Sequence, residues 1–279
     1  MSDTAFQIQY RQEAIAAFER RQSLLRDTVT TEAVINAQQA VFLVAGSGAA
    51  SATTRGVNGL IPARADDLNQ NTCTLSEWHD LVRKTGFNVF ASQGDQRRIM
   101  QETTMAVLNR KIDQQIIAEL ETGTQDTGAA QTGSLSLVMY GKTILGNNDA
   151  GGGEIFAAIT PAFEAYLMQT KEFASADYVD VKPFAATNKM VQSRFRWAGV
   201  DFIVHTGLTG KATAAEKCLM WNKSAIGHAA DKSGLKTPIG YDEEQDYSWA
   251  RASMFMNAKL LQNSGVVTML HDGSAYVAQ

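Results

Sequence analysis

A search for chemistry in this chain begins with the side chains able to hold a phosphate, a metal or a proton. Gly141-Lys142-Thr143 has the ending of a phosphate-binding loop. That motif needs another glycine five positions before Gly141, so that backbone amides can wrap the phosphates. Ser136 stands there, followed by Leu137-Val138-Met139-Tyr140, so the segment reads as a helix or strand instead. Gly46-Ser47-Gly48 lacks the third glycine of a dinucleotide fingerprint and opens no helix. His79, His205, His228 and His271 stand singly, outside any recognised metal-ligand spacing. Neither Cys73 nor Cys218 sits in a nucleophile signature, and there is no Gly-x-Ser-x-Gly elbow. Asp242-Glu243-Glu244-Gln245-Asp246 could hold a hard cation or could be a solvated acidic loop. No catalytic, cofactor or metal residue is assigned from these patterns.

The bulk properties set further bounds. A length of 279 residues is near the upper limit for one hydrophobic core, so two lobes are expected. With 44% hydrophobic and 19% charged residues the chain has the composition of a folded protein, not a disordered one. A net charge of -4 argues against a protein built to grip nucleic acid, although it permits standing beside DNA. On the long helix described below, Arg97, Arg98, Arg110 and Lys111 are balanced by acids and no aromatic platform accompanies them. Two cysteines make no disulfide framework, and they are expected to be reduced thiols. Neither a signal peptide nor a membrane-spanning run is visible, which predicts a soluble intracellular chain.

The elements that would position any site follow from periodicity. Residues 6–31 read as an amphipathic arm, with Ile8, Ile15, Phe18, Leu24 and Leu25 at loosely helical spacing. Ala40-Val41-Phe42-Leu43-Val44-Ala45 suits a strand, and it breaks into a stretch of small residues from Gly46 to Gly59 in which Arg55 and Val57 are the only sizeable side chains. Such a stretch cannot build a core. Residues 41–90 are therefore predicted to form a long, projecting two-stranded arm with a flexible tip. A lone ribbon is marginal in water, so something outside the subunit must cover it.

Ser92-Gln93-Gly94-Asp95 resembles a capping box and precedes a long helix free of Gly and Pro. Met105, Leu108, Ile112, Ile116 and Leu120 make its apolar stripe, and Gly123 stops it. Beyond a Gly-rich loop, 135–145 reads as helix, 154–159 as strand, and Thr160-Pro161 opens another helix. Residues 197–205 read as one strand, 217–221 as another leading into a helix over 223–229, and 253–261 and 266–270 as paired or consecutive strands. Strands and helices mix without a βαβ rhythm, which makes the fold class α+β.

This order of elements resembles the major capsid proteins of tailed bacteriophages, whose fold was first described for phage Hong Kong ninety-seven. The segment from Gln96-Arg97-Arg98-Ile99 to Gln115-Ile116-Ile117 is similar to the spine helix of these subunits. Ile159-Thr160-Pro161-Ala162-Phe163 resembles the strand, turn and helix of their axial domain, with Lys171-Glu172-Phe173 following. Leu219-Met220-Trp221-Asn222-Lys223-Ser224-Ala225-Ile226 is similar to their late strand and helix. The resemblance covers nearly the whole chain and rests on order and spacing together.

It implies an N-terminal arm (1–40), an extended β-hairpin loop (41–91), a peripheral domain with the spine helix (92–134), an axial domain (135–247) and strands returning to the peripheral domain (248–279). Gly46, Gly48, Arg55, Gly56 and Gly59 would form the loop tip at a subunit interface. Hexamers and pentamers would tile an icosahedral virion shell, assembled in the host bacterial cytoplasm. That shell would enclose double-stranded DNA without sequence-specific binding. No cofactor, enzymatic activity or membrane is implied. Some relatives cross-link through a lysine on the extended loop; the first lysine here is Lys84, beyond the Gly-rich tip, so no isopeptide bond is expected. The short stretch before the loop suggests a separate scaffolding protein; the resemblance also implies a portal, with the shell held by non-covalent contacts or by a separate cement protein. Two alternatives stand beside this reading: an encapsulin-like nanocompartment shell, and a metal-dependent enzyme using the 242–246 cluster.

Overall fold

A computed structural model of the chain describes residues 22–34, 37–47, 50–64, 67–91, 96–171 and 194–276. Most of the expected N-terminal arm, Gly48, the 92–95 capping box and the segment after Lys171 lie outside them. In chain order the elements are β1 (Thr30–Val34), β2 (Gln39–Gly46), β3 (Asp67–Thr74), β4 (Ser76–Thr85), α1 (Gly86–Ala91), α2 (Gln96–Leu120), α3 (Leu135–Asn147) and β5 (Ile155–Ile159). They continue with α4 (Pro161–Met168), β6 (Arg194–Trp197), β7 (Val200–Val204), β8 (Glu216–Asn222), β9 (Ile226–Asp231), β10 (Ile239–Asp242), β11 (Tyr247–Leu260) and β12 (Val266–His271). The mixture is α+β, as expected. Among the described residues, no helix is long and apolar enough to cross a membrane.

Two sheets carry the core. The first runs β1-β9-β11-β10, with β4 also paired to β11, and the second runs β12-β8-β5-β7-β6. Because strand side chains alternate between faces, β5 (Ile-Phe-Ala-Ala-Ile) feeds two cores at once. Ile155, Ala157 and Ile159 pack with Leu137, Val138 and Leu145 of α3 and Phe163 and Leu167 of α4. Phe156 and Ala158 face Leu108, Ile112 and Ile116 of α2. Thr160 accepts the Phe163 amide at 3.2 Å as the N-cap of α4, with Pro161 in the first turn, where its missing N–H costs nothing.

The spine helix has its expected length, but its buried stripe is not quite the expected one. Met100, Thr104, Leu108, Ile112, Ile116 and Leu120 are buried, whereas Met105 is 36% exposed. A strict four-residue spacing advances about 40° per step on a helix of 3.6 residues per turn, so the stripe winds around α2. At the level of Met105 it has moved to Thr104, about 100° away.

Other expectations need correction. The two-stranded arm is β2–β3 alone; β4, expected within it, pairs with β11 from Ser76↔Met256 to Thr85↔Tyr247, and Gly86–Ala91 is helical. Trp78 explains the capture, since its indole donates to Met256 O and Lys111 Nζ lies 3.9 Å above its ring. The strand expected over 197–205 is β7 from Val200, but its first residues form the turn of a β6–β7 hairpin, with φ of 53° at Ala198 and 76° at Gly199. Both turn residues are left-handed, which matches the twist of the flanking strands. The helix expected over 223–229 is a 3-10 turn followed by β9, held between β1 and β11. Of the two alternatives open for 253–261 and 266–270, the structure has the consecutive one: β11 and β12 follow one another and enter different sheets. Strands β9 and β10 therefore join the first sheet, and β12 joins the second, so hydrogen bonding does not follow the expected boundaries at 134/135 and 247/248.

Candidate assembly surface

The ribbon β2–β3 pairs Gln39↔Thr74 through Gly46↔Asp67. Directly opposed residues share a face. One face carries Ala40, Phe42 and Cys73, which are buried with Val34 and Ala229 against the first sheet. The other carries Val41, Leu43 and Leu68, all exposed to half their area or nearly so. The connection bearing Val57, Leu60 and Ile61 is more exposed still, with Val57 open to solvent over its whole side chain.

The predicted tip residues fall as follows. Gly46 ends β2, and Arg55 is exposed. The Gly56 amide donates to Leu60 O at 3.0 Å and the Gly59 amide to Gly56 O at 2.9 Å. Gly59 has φ 73°, a backbone region that favours glycine. Arg64 reaches back to Ser47 O at 3.3 Å, so the tip closes a turn on itself. On the spine helix Arg98 pairs with Glu102 at 3.4 Å on the exposed face, four residues on. Arg97 starts the second residue of α2.

Two buried polar clusters, neither evident from sequence spacing, hold the body that carries this ribbon. In the first, Asp113 of α2 accepts Ser23 Oγ at 2.6 Å, the Leu25 amide at 3.2 Å, the Leu24 amide at 3.3 Å and His205 Nε2 at 3.3 Å. His205 Nδ1 accepts the Gly207 amide at 3.0 Å, which places a proton on Nε2, facing Asp113. Burial alone would raise the Asp113 carboxyl, but the hydrogen bonds from His205, Ser23, Leu25 and Leu24 outweigh it and hold the group below its ordinary range.

In the second, Glu216 and His271 are opposed on β8 and β12, with Nδ1 2.7 Å from Oε2. Glu216 also accepts the Ala212 amide at 2.7 Å and the Thr160 hydroxyl. Cys218 lies beside them, and with Glu216 and His271 makes the one grouping of three metal-ligand types among the described residues. Glu216 and His271 Nδ1 pair with one another, whereas the buried His271 Nε2 has no hydrogen-bond partner among the described residues. Burial, with a further push from Glu216, raises the Cys218 thiol to about 12 despite hydrogen bonds with Thr160, so it stays protonated. Removing the cap hydroxyl with Thr160→Ala should cost about 1–3 kcal/mol, since it strips both α4 and a buried carboxylate of a partner. Chemical denaturation of the isolated subunit measures this, and an unchanged midpoint would contradict it.

The acidic run proposed for a cation is the turn of the β10–β11 hairpin. Asp242 Oδ1 accepts the Glu244 and Gln245 amides at 3.0 and 3.1 Å, and Tyr241 donates to Asp246. The Asp242 and Asp246 carboxylates serve the turn.

Residues 2–273 match the family model described as phage capsid protein. The chain belongs to the phage capsid protein family. This is a family of structural proteins, and the comparisons lend nothing to the nanocompartment or metal-enzyme alternatives. None of the curated proteins matches the capsid chain in sequence. Its fold is that of solved phage capsids. The capsid asymmetric unit of cyanophage Pam1 aligns with a TM-score of 0.73 at 10% identity, over 98% of each chain. The capsid of Ralstonia phage GP4 gives 0.72 at 10% identity, over 99% of this chain and 98% of that one. Mycobacterium phage Che8 gives 0.72 at 14%, over 96% and 98%. At such identities the likeness speaks to fold alone, and it confirms the expected capsid architecture.

Proposed function

We propose that this capsid protein closes into hexamers and pentamers and tiles an icosahedral shell around double-stranded DNA, with β2–β3 lying over a neighbouring copy. The observation that carries the reading is the ribbon's outer face: Val41, Leu43 and Leu68, continued by Val57, Leu60 and Ile61, is exposed apolar surface on a two-stranded element. Exposed apolar surface of this kind marks an interaction site, and an isolated ribbon needs cover to be stable. Head-to-tail contacts of this type make heterologous interfaces, which close into rings when the rotation allows. The net charge of -4 suits a wall that contains DNA without gripping it.

Assembly is proposed to take place in the host bacterial cytoplasm with a separate scaffolding protein, around a portal, and with a cement protein on the finished shell. Electron microscopy of the expressed protein, alone and with its scaffold, tests the reading. Closed shells or rings are expected, and a monomer under every condition would refute it. Lys84 sits half-buried in β4, opposite Ser248, away from the tip. Boiled shells should therefore run as single subunits on an SDS gel, whereas a ladder of covalent oligomers would overturn that expectation.

A further inference from the structure

The ribbon projects, but its root is seated. Phe42 lies on the buried face of β2 and packs on Gly227 in β9. A Cβ on Gly227 would stand 2.8 Å from Phe42 Cζ, 2.9 Å from Cε1 and 3.0 Å from Cε2. Gly227 is not among the glycines with positive φ. Its strand therefore has no conformational need of glycine, and glycine inside a strand costs stability. What remains is close approach: the aromatic ring rests on bare backbone. Two side-chain amides tie the same root to the first sheet. Asn71, opposite Phe42 in the ribbon, donates to Leu261 O at 3.2 Å, and Asn257 donates to Thr74 O at 2.9 Å. On the opposite face the exposed apolar residues begin at Val41 and run outward through Leu43 and Leu68.

The geometry points to Phe42 on Gly227 as a positioning seat that sets the angle at which the ribbon leaves the subunit, and so selects the ring and shell geometry it can reach. This rests on the proposal that the ribbon covers a second copy. A methyl group at position 227 forces the ring to retreat by up to about 1 Å to regain ordinary contact. Because the ribbon runs well past its short root, a small tilt there becomes a larger displacement at Val57. The body of the subunit, whose cores lie under α2 and between α3, α4 and the second sheet, is not touched by the change.

The test combines Gly227→Ala, Phe42→Ala and the double variant in the full chain. One readout is the distance between spin labels at Val57→Cys and Met139→Cys in the free subunit; the other is the yield and diameter of shells assembled with scaffold. Gly227→Ala is expected to melt near wild type, to shift the label distance by several ångströms, and to lower the yield of wild-type-sized shells at least tenfold. In the double variant the shortened side chain leaves room for the methyl, so the added effect of Gly227→Ala should vanish against the Phe42→Ala background. An unmoved label distance, wild-type shells from Gly227→Ala, or a defect equally large in both backgrounds would each overturn the seat. Wild-type chain that forms no shell at all would instead refute the ribbon reading, while the label distances still judge the seat.

Discussion

Leu43→Asp together with Leu68→Asp should abolish shell formation while leaving the subunit folded. Both side chains are exposed and lie on the outer face of the ribbon, with Val41. In the free subunit the change is a surface one, expected to alter stability by no more than about 0.5 kcal/mol. Under a neighbour, each leucine contributes about 1.5–3 kcal/mol of buried apolar surface, and its replacement buries an unpaired carboxylate. The loss recurs at every subunit contact, so assembly should fail outright rather than slow by degrees. Sedimentation of the assembly reaction reads the result. Shells at wild-type yield would mean that this face is not an interface.

Asp113→Ala should be the most damaging single change to the subunit itself. It strands His205, the Ser23 hydroxyl and the Leu24 and Leu25 amides at once, in a core where Leu25 and His205 are wholly buried. Each buried donor left without an acceptor costs about 1–3 kcal/mol, so the combined loss should reach several kcal/mol. The N-terminal segment should also lose its anchorage on α2, giving protease access near Ser23.

The same cluster predicts acid lability. The Asp113 pKa is depressed in the fold, so its stabilisation is complete above about 3.9, the unfolded value, and is lost as pH falls through the lower folded value. His228 acts earlier. Burial, helped by Arg26, lowers its pKa from 6.5 to about 4. Between those values the unfolded chain binds a proton that the folded one refuses, so stability declines as pH falls from 6.5 to about 4. Denaturation of the subunit across this range should show the slope, and His228→Gln should flatten it. A slope indifferent to that substitution would remove His228 as the cause.

How much of this could be read before the fold was known differs by element. Helix α2 was legible because 25 residues without Gly or Pro leave few alternatives. The cap Thr160-Pro161 and the uniformly apolar β5 were legible for the same kind of reason: each signal lies within a few neighbouring residues. Even so, the buried face of α2 was set by what packs on it, which is why Met105 fell outside the stripe. The segment 223–229 reads as helix, yet β1 and β11 claim its backbone from Ile226 onward and make that part a strand.

The functional surface divides in the same way. Local pattern by itself showed that a strand breaks into a stretch too small-sided to make a core, and hence that an arm outside the core was to be expected. It could not show that β4 leaves that arm for β11, that Asp113 meets His205 from 92 positions away, or that Phe42 finds bare backbone at Gly227. Those pairings join residues far apart along the chain, where no periodicity links them. Sheet registration and core packing bring them together, and only the tertiary structure decides which ones meet.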